Sequence, residues 1–158
     1  EIYNTISSGS GFFQHGHTYL GHPVATAAGN AVLKKLTHDG MMERVTCQGE
    51  KLKKALQSTF GQHANIGDIR GRGLFQALEL VKDRETKMPF HPSNMLARKI
   101  KAAAFDEGLI CYPMSGTRDG QLGDHILLAP PFIIEDEQIA EIVFKLSNAF
   151  RRTLETAS

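Results

Sequence analysis

The sequence predicts an α/β protein in which helices pack against a short, mostly antiparallel sheet. Three observations lead to this fold class. The chain has 158 residues, of which 41% are hydrophobic and 22% charged, as is usual for a protein with one core of ordinary size. Apolar residues recur at three- and four-residue spacing in four stretches, and short apolar runs lie between stretches rich in turn-forming residues.

Each helical stretch has a residue that favours its start. Pro23 fits the first turn of a helix, because its missing N–H would have no partner there. Asp39 and Ser93 are good N-caps for the second and third helices, and Glu135 complements the positive end of the fourth. A loop-like stretch rich in Ser, Gly and His, residues 7–21, precedes the first helix. The predicted helices span residues 23–40, 39–60, 93–108 and 135–154.

Three short apolar runs are predicted strands. The first, residues 74–81, follows Gly71 and Gly73, which we expect to form a bend or bulge at its entry. Residues 109–112 and 125–129 flank a turn-rich stretch, so they predict a strand–loop–strand unit.

Composition excludes several classes of protein. Lys and Arg number 18 against 17 Asp and Glu, and no basic stripe could contact a row of phosphates, so no nucleic-acid partner is expected. No apolar run approaches the roughly 20 residues needed to cross a bilayer, so no membrane is expected either. Cys47 and Cys111 have neither zinc nor disulfide spacing, which favours the cytoplasm. Because the chain begins at Glu1, with neither an initiator Met nor a signal peptide, we expect it to be part of a longer protein.

A histidine-rich segment precedes the first helix. His15, His17 and His22 could share a metal ion, but no nearby carboxylate would complete the site, so we expect no metal. The same segment, residues 16–23, places the Thr18 hydroxyl and flexible backbone next to a helix N-terminus, where free N–H groups and the dipole favour an anion such as phosphate. On spacing alone, an ordinary capped helix start fits equally well.

Three arginines are candidates for binding a carboxylate. The guanidinium groups of Arg70, Arg72 and Arg118 could each form a two-pronged pair with a substrate carboxylate, although surface ion pairs are the commoner role. Gly71-Arg72-Gly73 precedes a strand, whereas a dinucleotide-binding fingerprint joins a strand to a helix. The sequence has no G-x-S-x-G motif, which argues against a hydrolase.

Three segments together resemble class III (omega-type) pyridoxal-phosphate-dependent aminotransferases. They are residues 15–25 (HGHTYLGHPVA), residues 70–74 (RGRGL) and residues 123–134 (GDHILLAPPFII), in the order and approximate spacing of that family. The resemblance implies the C-terminal part of a fold type I PLP-dependent transferase. Residues 1–38 would end the large PLP-binding domain, with the phosphate-binding loop and the following helix, and residues 39–158 would form the C-terminal small domain.

The resemblance also implies a cofactor and roles for individual residues. Thr18 would bind the phosphate of pyridoxal 5′-phosphate, typically that of the partner subunit in a dimer, with His17 beside it at the cofactor. Arg118 is the only arginine in the loop before Pro130-Pro131, where relatives place an arginine that binds the substrate carboxylate. The other two arginines are expected to stabilise the turn into the strand. No segment matches the family's cofactor-binding lysine motif, so no catalytic residue is nominated.

The resemblance predicts the function of the full-length protein. It would transfer an amino group from an amine or amino acid to a 2-oxo acid, as a cytoplasmic homodimer with its active site at the subunit interface. The alanine-rich first helix also favours close packing against a neighbour. The isolated chain is expected to be inactive. Two alternatives stay open: an aminomutase or decarboxylase of the same family, and a short non-enzymatic binding or regulatory module.

Overall fold

A computed structural model describes residues 1–155 of the chain. Clusters of contacts divide the chain into two compact units, Glu1–Asp39 and Gly40–Ser158. Every buried residue of the described range lies in the second unit, which therefore contains the hydrophobic core. Within that range, no helix combines the length and the apolar character that crossing a membrane requires.

The first unit consists of two helices joined by an irregular stretch, α1 (Ile2–Ser8) and α2 (Pro23–His38). Pro23 occupies the first turn of α2, as the sequence predicts, and the helix ends at the C-cap Asp39, which forms an ion pair with Lys35. The sequence does not predict α1, because a helix of seven residues makes only two turns, too few for its periodicity to be recognised.

The second unit contains one antiparallel sheet and three helices. The strands lie in the order β1-β2-β4-β3, and each neighbouring pair is antiparallel, which confirms the predicted sheet with packed helices. In chain order the elements are α3 (Met41–Phe60), β1 (Ile66–Arg72), β2 (Phe75–Leu80), a 3₁₀ turn (Pro92–Asn94), α4 (Leu96–Asp106), β3 (Tyr112–Ser115), β4 (Asp124–Leu128) and α5 (Asp136–Glu155).

The core lies between one face of the sheet and the three helices. Leu78 and Leu80 of β2 point to this face with Ile126 of β4, and all three are almost completely buried. α5 carries the predicted apolar stripe, and its Phe150 packs edge-to-face against Phe60 of α3 with 5.9 Å between ring centroids. Burial of such matched apolar faces stabilises the fold by about 25 cal/mol per Å².

The segment before the first predicted strand contains a strand that the sequence does not predict. The bend expected at the entry is present as a turn at Gly73 (φ 53°), and Gly71 lies in strand β1 (Ile66–Arg72), which forms a hairpin with β2 through this turn. The irregularity in strand pairing lies further back, between Ile66 and Asp68. β1 lacks a recognisable pattern because it is an edge strand with only two large apolar residues, Ile66 and Ile69.

The starts of two helices were also predicted wrongly. α3 is capped by Gly40 in the left-handed conformation (φ 61°), whereas Asp39 belongs to the end of α2. Ser93 lies inside the 3₁₀ turn, and α4 starts only after Met95, which is also left-handed (φ 48°). In both places the residue before the helix is left-handed and no side chain caps the helix, so the sequence offers no capping residue that marks the start.

The strand expected at residues 109–112 is displaced towards the C-terminus. The N–H of Leu109 still bonds to Ala104 O (2.8 Å) at the end of α4, so extended pairing begins only at Tyr112. The resulting strand β3 is the edge of the sheet opposite β1, and Pro113 within it has no N–H to donate.

Candidate functional site

Thr18 lies in a tight turn that leaves its donors free. Two backbone hydrogen bonds close the turn, from Leu20 N to His17 O (3.0 Å) and from His22 N to Tyr19 O (3.0 Å). Thr18 is exposed, and neither its hydroxyl nor its N–H has a hydrogen-bond partner within residues 1–155. The residue therefore presents two donors to an anion.

The turn leads directly into the N-terminus of α2, where His22 is the N-cap. Its Nδ1 accepts a hydrogen bond from Ala25 N (3.4 Å), and Pro23 at the first helical position has no N–H. In the described chain, Val24 keeps the only first-turn N–H without a partner. The terminus is thus a capped helix start, and an anion at the turn would be bound mainly by Thr18 and by the helix dipole.

The charge of the first unit also suits an anion. Between Glu1 and Asp39 the sequence contains no Asp or Glu, so no carboxylate of this stretch repels a negative ligand. His17 is exposed and precedes Thr18 directly. A phosphate group therefore fits the turn both by hydrogen bonding and by charge.

The histidines of this segment are not arranged as metal ligands. Across the described range, no three His, Cys, Asp or Glu side chains are placed to hold a metal ion. His22 acts as the helix cap, and the His15 ring lies 5.7 Å from the ring of Phe13 between centroids.

Arg118 lies at the tip of the hairpin between β3 and β4. Two backbone hydrogen bonds continue the hairpin beyond the strands, from Thr117 N to Gly123 O (3.2 Å) and from Arg118 N to Leu122 O (2.9 Å). The Arg118 guanidinium is exposed and makes no hydrogen bond or ion pair with any described residue. Its charge acts on the neighbouring Asp119, but a fixed backbone and a guanidinium without a hydrogen bond to any described residue suit the binding of a carboxylate.

Two carboxylates stiffen the same hairpin. Asp119 Oδ1 accepts hydrogen bonds from Leu122 N (2.6 Å) and Gln121 N (2.9 Å), and these bonds lower the pKa of Asp119 below its ordinary value. At the base of the hairpin, Ser115 donates to the buried Asp124 (2.5 Å). The backbone around Arg118 is therefore held by side chains as well as by strand pairing.

The two other candidate arginines lie on the edge strand β1. The Arg70 side chain is already occupied by two ion pairs, because its Nη1 donates to Glu79 (2.6 Å) and to Asp68 (2.9 Å). These carboxylates raise the pKa of Arg70 above its ordinary value. Arg72 is exposed next to the turn. Arg70 thus links β1 to β2 across the hairpin.

Sequence reasoning placed the candidate residues in two separate units and missed the side chains that shape their surroundings. Thr18 and His17 belong to the first unit, and Arg118 to the second. The signal for the His22 cap is its position directly before Pro23, which favours the first helical turn. The signal for Asp119 is the Asp-Gly pair in a turn, where an aspartate side chain often bonds to following N–H groups.

Comparisons with known proteins agree on one family. A model of the family described as aminotransferase class-III matches residues 1–150. An aminotransferase of Gibberella zeae is 44% identical over 150 residues, which cover 94% of this chain and 29% of that protein. A diaminobutyrate–2-oxoglutarate transaminase of Halomonas elongata is 30% identical over 155 residues, which cover 96% of this chain and 32% of that protein. The structure of a PLP-bound aminotransferase mutant from Vibrio fluvialis is similar, with a TM-score of 0.83 and 31% sequence identity. The match covers 98% of this chain and 32% of that one.

The chain belongs to the class III aminotransferase family. The resemblance seen in its three sequence segments is therefore confirmed. The similarity to the Vibrio fluvialis structure also confirms the expected fold, a part of a PLP-dependent transaminase with helices on an antiparallel sheet. The chain spans 29–32% of the length of these relatives.

Proposed function

We propose that the full-length protein is a PLP-dependent transaminase that moves an amino group from an amine or amino acid to a 2-oxo acid. The observation that carries this proposal is the match of the class III family to residues 1–150. The free donors of Thr18 and the free guanidinium of Arg118 support it. The isolated chain has no lysine in a segment like the family's cofactor-binding motif, so we propose that it is inactive alone.

The first unit would hold the phosphate end of the cofactor. When bound, pyridoxal phosphate supplies an electron sink for the carbon next to the reacting nitrogen. Thr18 would donate its hydroxyl and N–H to the phosphate, and the N-terminal dipole of α2 would add to the attraction. His17 would lie at the same end of the cofactor. In the proposed homodimer, with the active site at the subunit interface, this phosphate would belong to the partner's cofactor.

Arg118 would orient the substrate. Its guanidinium can form two parallel hydrogen bonds with a carboxylate, which fixes both the position and the angle of an amino acid or 2-oxo acid. The bonds of Asp119 and the hairpin hold the backbone that carries this side chain. The role proposed for Arg118 is thus binding and orientation, without a proton transfer.

The proposal also covers organisation and location. Residues 1–38 would complete the large PLP-binding domain, and residues 39–158 would form the small domain. Cys47 and Cys111 are both free thiols, and they favour the cytoplasm.

The phosphate role is tested in the full-length protein with Thr18→Val and its matched control Thr18→Ser. Loss of hydrogen bonds to a charged phosphate is expected to raise the dissociation constant of the cofactor about 10- to 100-fold in Thr18→Val. Thr18→Ser keeps the hydroxyl and is expected to bind as the wild type does. Cofactor titration followed by absorbance measures both, and an unchanged constant in Thr18→Val would remove Thr18 from the site.

The substrate role is tested with Arg118→Gln, and Arg72→Gln is the control because Arg72 is another exposed arginine of the same unit. We expect Arg118→Gln to raise KM for the 2-oxo acid about tenfold or more, because a charge-assisted pair is lost, while kcat changes little. Steady-state kinetics with the full-length protein measure this. Equal KM values in the two variants would contradict the assignment.

The reaction itself distinguishes the alternatives. A transaminase consumes one 2-oxo acid for each amino donor, an aminomutase isomerises its substrate without an acceptor, and a decarboxylase releases CO₂. Turnover that requires pyruvate or another 2-oxo acid supports the proposal. A natural polypeptide no longer than this chain would instead favour the binding or regulatory module.

A further inference from the structure

A cavity of about 440 Å³ lies in the second unit between α3, the turn leading to β1, and α5. This volume lies within the range of small-molecule sites. Phe60, Phe150 and Leu154 supply apolar surface, and the His63 ring lies edge-on to Phe150 with 5.0 Å between centroids. None of the residues proposed above for cofactor or substrate lines the cavity.

Three side chains of this cavity carry donors that the described part of the chain does not use. The hydroxyls of Thr59 and Ser147 have no hydrogen-bond partner there. Arg151 makes a single long hydrogen bond to a described residue, from Nη2 to Asn148 Oδ1 (3.4 Å), and its charge also acts on the Glu107 carboxylate, which does not line the cavity. Among the residues that the structure describes, no Asp or Glu lines the cavity. A negative group would therefore meet a cation and free hydroxyls, without a competing carboxylate on the wall.

His63 supplies one more donor, because its neighbours fix its tautomer. Asn65 N donates to His63 Nδ1 (3.1 Å), so the proton of the neutral ring is on Nε2. The Asn65 amide in turn donates to Val81 O (3.1 Å) and Lys82 O (3.3 Å), which holds the turn in place. Burial lowers the pKa of His63, so the ring is neutral at pH 7. Arg84, which donates to His63 O (3.4 Å), adds a second cation nearby.

We propose that this cavity binds a small organic carboxylate with an apolar body. The forked Arg151 guanidinium matches one carboxylate, and His63 Nε2 and the Ser147 hydroxyl provide further donors. The apolar body would lie against Phe150 and Leu154. An uncharged ligand of the same shape would form no charge-assisted hydrogen bond with the guanidinium, so the proposed site favours the anion.

The test is a titration of the chain with benzoate, and benzamide serves as the uncharged molecule of the same shape. The NMR signals of the His63 ring report binding. We expect a saturable shift with benzoate and binding at least about tenfold weaker with benzamide, because charged hydrogen bonds are the stronger ones. Benzoate is also expected to raise the pKa of His63, since a nearby anion stabilises the imidazolium form. Absence of a saturable shift, or equal binding of benzamide, overturns the proposal.

Variants identify the residues that bind the anion. Arg151→Gln is expected to weaken benzoate binding about tenfold or more, whereas the matched control Arg98→Gln, an exposed arginine on α4, leaves it unchanged. Ser147→Ala is expected to weaken binding by a smaller factor and provides the test if Arg151→Gln does not fold. If Arg118→Gln abolishes the shift while Arg151→Gln does not, benzoate binds at the candidate substrate site and the cavity proposal is wrong. That result would leave the transaminase proposal intact.

Discussion

At Gly49 the backbone of α3 approaches the turn between β1 and β2 so closely that no side chain fits. A Cβ at this position would lie 2.6 Å from Gly73 Cα, an atom of the backbone that cannot move without disturbing the hairpin. We expect Gly49→Ala to lower the free energy of unfolding by about 1–3 kcal/mol, although Ala is the better helix former by about 1 kcal/mol. Urea denaturation measures the difference.

Gly29 provides the control for this substitution. It lies in α2, and a Cβ there would meet no atom within 4 Å. Gly29→Ala is therefore expected to leave the second unit unchanged and to increase the helicity of α2. A Gly49→Ala protein as stable as the wild type would show that the close approach can relax.

His63 gives the second unit a dependence on pH that begins near neutrality. Burial places its folded-state pKa below the unfolded value of 6.5, so the unfolded chain takes up the proton first as the pH falls. Its contribution to stability is complete above pH 6.5 and is lost as the pH falls from there through the folded pKa. Urea denaturation at pH 7.5 and pH 5.5 is expected to show a larger loss of stability in the wild type than in His63→Gln.

The carboxylates with lowered pKa values act in a more acidic range. Asp119 and Asp136 are held below their ordinary pKa of 3.8, Asp136 chiefly by its hydrogen bond to Lys51. The contributions of these two aspartates to the free energy of unfolding are present above pH 3.8 and are lost as the pH falls below it.

An equal loss of stability between pH 7.5 and pH 5.5 in wild type and His63→Gln would contradict the assignment of the pH dependence to His63.

Among the elements, α3 is connected to the start of α5 by a row of polar side chains. Arg44 donates to Ile134 O (2.7 Å) and pairs with Glu135 (2.8 Å). One turn further along the helix, Gln48 donates to Ile134 O (3.0 Å) and to Asp136 (3.0 Å). These bonds fix the segment between β4 and α5 and satisfy carbonyl groups that strand pairing does not reach.

Arg44→Met is expected to lower the free energy of unfolding by about 1–3 kcal/mol, because carbonyl acceptors lose a charged donor. Lys54→Met on the same helix is the control, since Lys54 is exposed and forms no ion pair with a described residue. Limited proteolysis is expected to cut Arg44→Met faster in the segment around Pro131. Equal stability and equal cleavage of the two variants would show that the row of polar side chains is dispensable.

Elements with a long, regular pattern were predictable from the sequence, and irregular ones were not. α5 has six apolar residues at helical spacing, and its stripe lies in the core as expected. β1 has no such pattern, because an edge strand needs little apolar surface. The anion site at Thr18 was predicted from its hydroxyl and the helix that follows, and the resemblance of sequence segments supported it. The cavity beside His63 was not found, because its walls come from stretches of the chain that only the fold brings together.

The hydrophobic core formed by the described residues lies entirely in the second unit. All buried hydrophobic side chains of the described residues lie at or after Met41, and no residue of Glu1–Asp39 is buried. We expect a chain of residues 40–158 to keep a melting temperature within a few degrees of the full 158-residue chain. Residues 1–39 alone are expected to show little helix, because short helices without packing are marginal in water.

Calorimetry of residues 40–158 and circular dichroism of residues 1–39 measure these outcomes. A chain of residues 1–158 serves as the reference for both. A large fall in the melting temperature of residues 40–158 would mean that the first unit contributes to the stability of the second.

The two edge strands of the sheet, β1 and β3, have a consequence for solubility. At β3, Pro113 interrupts the row of N–H groups that another strand would need. At β1, strand pairing is irregular between Ile66 and Asp68, the Gly67 carbonyl accepts a hydrogen bond from Lys87 (2.6 Å), and charged side chains cover the outer surface. Neither border offers a flat template, so the folded protein resists the strand-by-strand growth that produces fibrils.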